Sequence, residues 1–396
     1  MQQEIRNTTY ASSYLPLFRS YLPEFLKRLE TLVNIDSGTG QIAGVNRIIE
    51  QLQIWLHELG CKITLHPVEE FGNNLVAQLE GTGTQRIALV GHIDTVYQPG
   101  ATQLQPFSVK GSAAYGPGVL DMKSGVLLAL YIMRAFQEKQ FHDYRELYLV
   151  INNDEEVGSP GSHELLTSIA HKIDVGLVLE PSLAFHSITS ARKGTDRYLL
   201  EVQGVSAHSG AEPQKGRSAV VELAHKILAI QHLNSMFPEV TFNCTCLSST
   251  ETLNIIPDMA RCYVSVRAGS QEALDQAARA LESIAIGQSI PDTITTLTRT
   301  PGRRPYQVNA GIQELLERLQ AEARALDISL SGEVDGGVSD ANILAATGVP
   351  TLDSLGPVGS GMHNLEQEHL IIETIPIRGA LVAGLIHQLC LSKLTG

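Results

Sequence analysis

The sequence predicts an α/β fold in which a domain built on a mostly parallel sheet is interrupted by an inserted α+β unit. Three observations predict it. Helical and strand patterns alternate as far as Leu179 and resume from Gly311. Between Lys193 and Gly302 the alternation gives way to strands of antiparallel type with two helices. The apolar runs Ile87–Val90, Leu147–Ile151 and Val175–Leu179 show no polar alternation, as strands covered on both faces do. A length of 396 residues fits two cores better than one.

Taken in order, helical spacing predicts helices over Phe25–Val33 and Ile42–Leu59. Strands follow at Cys61–Leu65, Asn74–Leu79 and Ile87–Val90, a helix at Gly125–Phe136, and strands at Leu147–Ile151 and Val175–Leu179. Such alternation places helices on both faces of the sheet, and ligands bind outside the carboxyl ends of its strands. The inserted stretch reads as a strand (Asp196–Val202), a helix (Ser218–His232), two strands (Val240–Thr245 and Ala260–Arg267), a helix (Glu272–Ile284) and a strand (Thr293–Thr298). Pro301-Gly302-Arg303-Arg304-Pro305 marks its exit. The division is therefore residues 1–192 and 303–396 for the first domain and 193–302 for the insert.

A formal net charge of −13 argues against nucleic acid as a partner, because phosphate binding needs basic patches. The five cysteines, Cys61, Cys244, Cys246, Cys262 and Cys390, match no zinc-ribbon or Cys-x-x-Cys spacing and read as buried thiols of a reducing compartment. Cys244 and Cys246, two apart in a strand, are expected on one face. Met1–Thr8 shows neither the basic nor the apolar region of a signal peptide, and no apolar run is read as approaching membrane-spanning length. A cytoplasmic protein with no membrane partner is expected.

The chemistry-bearing residues gather where the apolar runs end. His92-x-Asp94 follows Ile87–Val90, and strand alternation puts both side chains on one face, where a carboxylate can hold an imidazole that binds metal. The same pair serves equally as a structural hydrogen bond. Asp121, in Gly118-Val119-Leu120-Asp121-Met122-Lys123, suits a bridging carboxylate or a helix N-cap. Met122 stands where a phosphate-binding loop needs glycine, so a nucleotide site is set aside. Glu155 and Glu156 follow Leu149–Ile151; as neighbours they point different ways, so that one could bind metal while the other takes a proton, or both could form a solvated acidic turn. Glu180 closes Val175–Leu179. His363 lies in the glycine-flanked Gly359-Ser360-Gly361-Met362-His363, and His208 in Gly204-Val205-Ser206-Ala207-His208-Ser209-Gly210. Gly38-Thr39-Gly40 opens a helical pattern but is a weak dinucleotide signal, for which a helix N-terminus built on Ser37 and the glycines suffices. No Gly-x-Ser-x-Gly elbow is present.

Together these segments resemble, in order and spacing and over nearly the whole chain, the zinc metallopeptidases of the carboxypeptidase G, aminoacylase, acetylornithine deacetylase and succinyl-diaminopimelate desuccinylase family. The form His-x-Asp-Thr-Val-Tyr, running from His92 to Tyr97, resembles the glutamate carboxypeptidase G branch. The resemblance implies a zinc-aminopeptidase-like catalytic domain with an inserted lid and dimerisation domain. It implies two Zn²⁺ ions, with Mn²⁺ or Co²⁺ also suited to the donors. Asp121 would bridge them, His92 and Glu180 would hold one, and Glu156 and His363 the other. Glu155 would be the general base, Asp94 would orient His92, and a cis peptide would follow Asp121. His208 would reach the substrate oxyanion from a partner subunit, with Arg267 and Asn254 binding substrate; Arg267 alone reads equally as a solvated strand-end residue. Gly336-Gly337-Val338-Ser339-Asp340 matches the glycine-rich segment near the pocket. Ser124 stands where the family often has glycine, with little effect expected. The implied activity is amide hydrolysis that releases a C-terminal, glutamate-like amino acid from a small peptide or N-acyl amino acid. N-acyl-amino-acid deacylase and dipeptidase remain alternatives, as does a silent binding protein of the same fold.

Overall fold

The computed structural model describes residues 8–392 and residue 394. The stretch Met1–Asn7, read above for a targeting signal, lies outside the described residues. In chain order the main elements are α1 (Ala11–Val33), α2 (Ile42–Glu58), β1 (Lys62–Val68), β2 (Gly72–Glu80), β3 (Gln85–His92), α3 (Lys123–Glu138), β4 (Tyr144–Asn152), α4 (His163–Ala170) and β5 (Val175–Val178). They continue with β6 (Gly194–Gln203), α5 (Ala219–Met236), β7 (Val240–Ser249), β8 (Met259–Ala268), α6 (Gln271–Ile286), β9 (Ile294–Pro301), α7 (Ala310–Arg324), α8 (Asp340–Ala345), β10 (Thr351–Leu352) and α9 (Thr374–Leu391).

The contacts divide the chain into two compact units, and the second interrupts the first. The first unit runs to Ala191, returns for Val308–Val334 and resumes at Ser339. Its six-stranded sheet has the order β1-β2-β4-β3-β5-β10. The β4–β3, β3–β5 and β5–β10 pairs are parallel, and β1–β2 and β2–β4 antiparallel. The mixed α/β class is as expected. The apolar runs of β3, β4 and β5 are buried throughout, which is what drew them to the sheet centre; β1, at the edge, is largely exposed. Helix α3 contributes Val126–Met133 to the core without a break.

Two sequence expectations need correction here. The first helix begins at Ala11, well before Phe25, and holds Pro16 and Pro23 inside it. Each proline removes one helical hydrogen bond, but the stripe Tyr14, Phe18, Tyr21, Phe25, Leu29 and Leu32 is fully buried, and that packing outweighs the break. Helix α9 is also long and apolar enough to cross a membrane, contrary to the expectation that no run approaches that length. Arg378 and Gln388 punctuate it in sequence, yet both are buried along with most of the helix inside this unit.

The second unit comprises Arg192–Gln307 and Asp335–Val338. Its four-stranded sheet, β7-β8-β6-β9, is antiparallel throughout. Alternate residues of β6 and β8, among them Tyr198, Leu200, Val202, Val264 and Val266, form one core with Leu223 and Ile230 of α5 and Leu281 of α6. A register shift in β7 between Thr245 and Ser248 corrects another expectation. It sets Cys246 at φ +52° and breaks the alternation that would have put it beside Cys244. Cys246 is exposed, whereas Cys61 and Cys262 are buried.

Candidate metal centre

The rim of the first sheet positions the site. β3 and β5 are parallel neighbours with Val90 opposite Val178, so His92 at the end of β3 and Glu180 just past β5 emerge side by side. Gly91 lets α3 approach: a Cβ there would lie 2.7 Å from Cε of Met122. Asp121 ends a loop turned by Gly116 at φ +142° and Gly118 at φ +71°, with a cis peptide between Asp121 and Met122. Helix α3 starts at Lys123 with Met122 as its N-cap, so Asp121 is not the cap and its carboxylate is left for the site. β4 ends at Asn152, and a single 3₁₀ turn, Glu155–Val157, presents the acidic pair. His363 comes from the loop after the short strand Gly359–Ser360, at φ +64°.

These six side chains converge. Nε2 of His92 is 3.3 Å from Oδ1 of Asp121 and 3.6 Å from Oε1 of Glu180. Nε2 of His363 is 3.3 Å from Oδ2 of Asp121 and 3.3 Å from Oε2 of Glu156. Asp121 thus faces both imidazoles, one with each oxygen. His92, Glu155 and Glu180 form one group able to hold a metal ion, and His92, Asp121 and Glu156 another, with donor atoms within 4.8 Å of one another. Each of the adjacent glutamates thereby enters a different group.

Comparison with known proteins places this arrangement. A model of peptidase family M20/M25/M40 matches residues 88–388. The chain belongs to that family. Carboxypeptidase G2 of Pseudomonas sp. (strain RS-16) is 32% identical over 375 residues, covering 94% of this chain and 90% of that protein. Acetylornithine deacetylase of Proteus mirabilis (strain HI4320) is 31% identical over 224 residues, 54% of this chain and 56% of that enzyme. Among solved structures, a tripeptidase from Staphylococcus aureus superposes with a TM-score of 0.80 at 20% identity, covering 94% of this chain and 99% of that one, which shows the shared fold.

This M20-family chain is a hydrolase, and its donor set fits a divalent metal. Nδ1 of His92 lies 3.0 Å from the carbonyl oxygen of Asp94, which can only accept, so Nδ1 carries a proton and Nε2 faces Asp121 and Glu180. Among the described residues, buried Oδ1 of Asp121 has no hydrogen-bond partner beyond its 3.3 Å approach to Nε2 of His92. Imidazole nitrogen and carboxylate oxygens converging in this way suit a zinc-like ion. The electrostatics agree. Burial alone would lower His92, but Glu180, Asp121 and Asp94 carry it well above its ordinary value. The hydrogen bonds of Asp121 and Glu156 push His363 up to about 10. Burial would raise Asp121, yet the two histidines hold it well below the usual carboxylate range. Burial raises Glu180 and Glu156. The carboxylates that hold protons on these rings are the groups that would hold cations in their place.

Residues that sequence reasoning left out, or left without a role, support the M20 site. The carboxylate of Asp94 does more than sit 3.3 Å from Nδ1 of His92. It accepts from the N–H of Glu155 (3.2 Å) and of Glu156 (3.3 Å), so it also caps the turn that carries them. Oγ1 of Thr39 donates to the same carboxylate at 2.7 Å, which gives Gly38-Thr39-Gly40 a task, while Ser37 bonds to the carbonyl of Ile93 rather than capping α2. Asp340 accepts from Ser159 (2.5 Å) and Asn152 (2.8 Å) beneath that turn. Glu368 accepts four hydrogen bonds from the loops around Asp121. For Asp340 the signal was the glycine-rich segment it ends; for Glu368 there was none.

The remaining expected site residues of this M20 chain fall in the second unit. His208 and Asn254 come together there: Ala207 and His208 pair with Ile256 and Ile255, and the N–H of Ser209 donates to the carbonyl of Asn254 at 3.0 Å. Nδ1 of His208 accepts from the N–H groups of Gly210 (3.1 Å) and Ala211 (3.1 Å). In the neutral ring that leaves the proton on Nε2, which makes His208 an exposed donor. Arg267 lies elsewhere in the unit, on the exposed face of β8, and donates to the carbonyl of Gly336 at 2.9 Å.

Proposed function

We propose that this chain is a two-metal amide hydrolase that releases a C-terminal, glutamate-like amino acid from a peptide or N-acyl conjugate. The carrying observation is that both imidazoles face opposite oxygens of Asp121, each beside a further glutamate, with Glu155 among the donors. In this reading His92, Asp121 and Glu180 would hold one ion and Asp121, Glu156 and His363 the other, with Zn²⁺ the natural occupant and Mn²⁺ or Co²⁺ compatible. Bound ions of this kind polarise a carbonyl and acidify water. Glu155 takes the proton of the attacking water as the new C–O bond forms, then delivers it to the departing nitrogen as the C–N bond breaks. Asp94 fixes His92 and the Glu155 turn together. His208 donates from Nε2 to the developing oxyanion, Arg267 binds the substrate carboxylate, and Asn254, beside His208, binds substrate.

The similarity to carboxypeptidase G2 over nearly the full length of both chains supports release of a C-terminal amino acid. The similarity to acetylornithine deacetylases over about half of each chain keeps N-acyl-amino-acid deacylation as the second reading. We further propose a homodimer formed through the second unit. There α5 leaves Val221, Leu228 and Met236 exposed, and it packs against β7, the edge strand of the sheet. A cytoplasmic location is proposed on the five unpaired cysteines.

Chelation should abolish hydrolysis of C-terminal glutamate conjugates, and zinc should restore it; full activity in the stripped protein sinks the mechanism. Glu155→Gln should retain both metals by elemental analysis while turnover drops by about 10²–10⁴-fold. Normal turnover in that variant would mean that the base is another group. Assaying N-acetyl and N-succinyl amino acids beside the glutamate conjugates separates the two readings.

A further inference from the structure

We propose that Glu368 is a positioning residue for one of the two metal positions, the one formed by Asp121, Glu156 and His363; the assignment rests on the metal site of the preceding reading. Glu368 is 1% exposed, and its carboxylate is fully engaged. Oε1 accepts from the N–H of Leu120 (2.9 Å) and of Asp121 (3.1 Å). Oε2 accepts from the N–H of Gly118 (3.1 Å) and the hydroxyl of Tyr97 (2.6 Å). A carboxylate offers about four lone-pair sites, and each has a donor here. Three of those donors are the backbone of the loop that aims Asp121.

The other end of the connection is His363, five positions earlier in the same loop. That loop is closed on itself: the N–H groups of Gln367 and Glu368 donate to the carbonyl of Asn364, and that of Asn364 to the carbonyl of Gly361. A Cβ on Gly361 would stand 2.4 Å from the carbonyl oxygen of Gln367. Glu368 therefore ties the His363 loop to the Asp121 loop. The side chain of His363 is 55% exposed, so little packing holds it in place. His92 is different. It is buried at the end of a central strand, held by Asp94, with Glu180 beside it just past the end of the neighbouring strand. Asp121 is common to both positions, but His92 and Glu180 have no tie to Glu368, so loosening it disturbs the His363 position, through Asp121 and the His363 loop together, more than the His92 position, through Asp121 alone.

Glu368→Gln keeps the side-chain shape and turns one oxygen into a donor that faces donors. Glu366→Gln, an exposed change in the same loop, is the control for charge. Zinc binding to each stripped protein is measured without substrate by competition with a chromophoric chelator, with circular dichroism reporting the fold. The result expected is one constant weakened about 10–100-fold and the other clearly less, with Glu366→Gln unchanged. Activity at limiting zinc should fall and return at excess zinc. Two unchanged constants, or two equally weakened ones, would overturn the assignment. If Glu368→Gln does not fold, Tyr97→Phe decides by the same criterion, since it removes one of the four donors. The constants are read without substrate, so they judge Glu368 even if no amide is cleaved; absence of hydrolysis in the wild type counts against the functional reading alone.

Discussion

Nδ1 of His208 is occupied by two backbone N–H groups, so its ring can act only through Nε2. His208→Ala is accordingly expected to bind metal as the wild type does and to lower kcat by about 10²–10³-fold, the usual cost of one oxyanion donor. An unchanged kcat would remove His208 from the chemistry. The proposed ligands were legible because each breaks a pattern: His92 and Glu180 end apolar runs, Glu156 lies in the acidic turn just past one, and Asp121 and His363 sit near glycines that free the backbone. Thr39 and Glu368 were not legible. Their contacts run to Asp94 and to backbone N–H groups far away in sequence, and no period or spacing encodes a partner 250 residues off. Asp94 was read for half its role, since the turn it caps exists only once β3 and β4 lie side by side.

Between elements, the site needs a close approach of α3 to the end of β5. Gly125, in the first turn of α3, has room for no side chain: a Cβ would lie 2.1 Å from the carbonyl oxygen of Leu179, the residue before Glu180. Gly125→Ala should push the helix that follows Asp121 away from the strand end that leads to Glu180. The expected cost is about 1–3 kcal/mol, the range for overpacked interiors, together with weaker zinc binding. A variant with wild-type melting temperature and zinc affinity would show that the two elements are free to separate. Most elements could be read from period alone, because the buried strands are uniformly apolar and helices such as α1 and α2 carry one apolar stripe. Readings failed where tertiary packing overrode local preference, as at Pro16 and Pro23 of α1, or where one extra residue broke the alternation, as at Cys246 of β7.

Across the whole molecule, acid sensitivity should trace in part to His387 of α9. Its ring stacks between Tyr10 and Phe141, with centroids 3.9 and 4.0 Å away, and Nδ1 lies 2.9 Å from the hydroxyl of Tyr14. Burial pushes it down to about 4. An unfolded chain takes up that proton near pH 6.5, so the stabilising contribution is whole above about 6.5 and fades as pH falls toward 4. His387→Phe should flatten the fall in melting temperature across that window; an identical slope in both proteins would clear His387 of the effect. If the second unit forms the proposed dimer and His208 acts across it, mixing His208→Ala with Glu155→Gln should restore activity, since one hybrid site is complete. No recovery would confine His208 to its own subunit. The order of the ligands also bears on biogenesis. Between the synthesis of Glu180 and that of His363 the ribosome translates the entire insert, an interval of about 10–40 s at ordinary elongation rates. The first helix waits longer still, because Glu322, which accepts from the N–H groups of Tyr10 and Ala11, is also made late. The insert, nearly contiguous, is thus the part able to mature on the ribosome, while the unit that carries the proposed metal ligands stays open to chaperones until α9 has emerged.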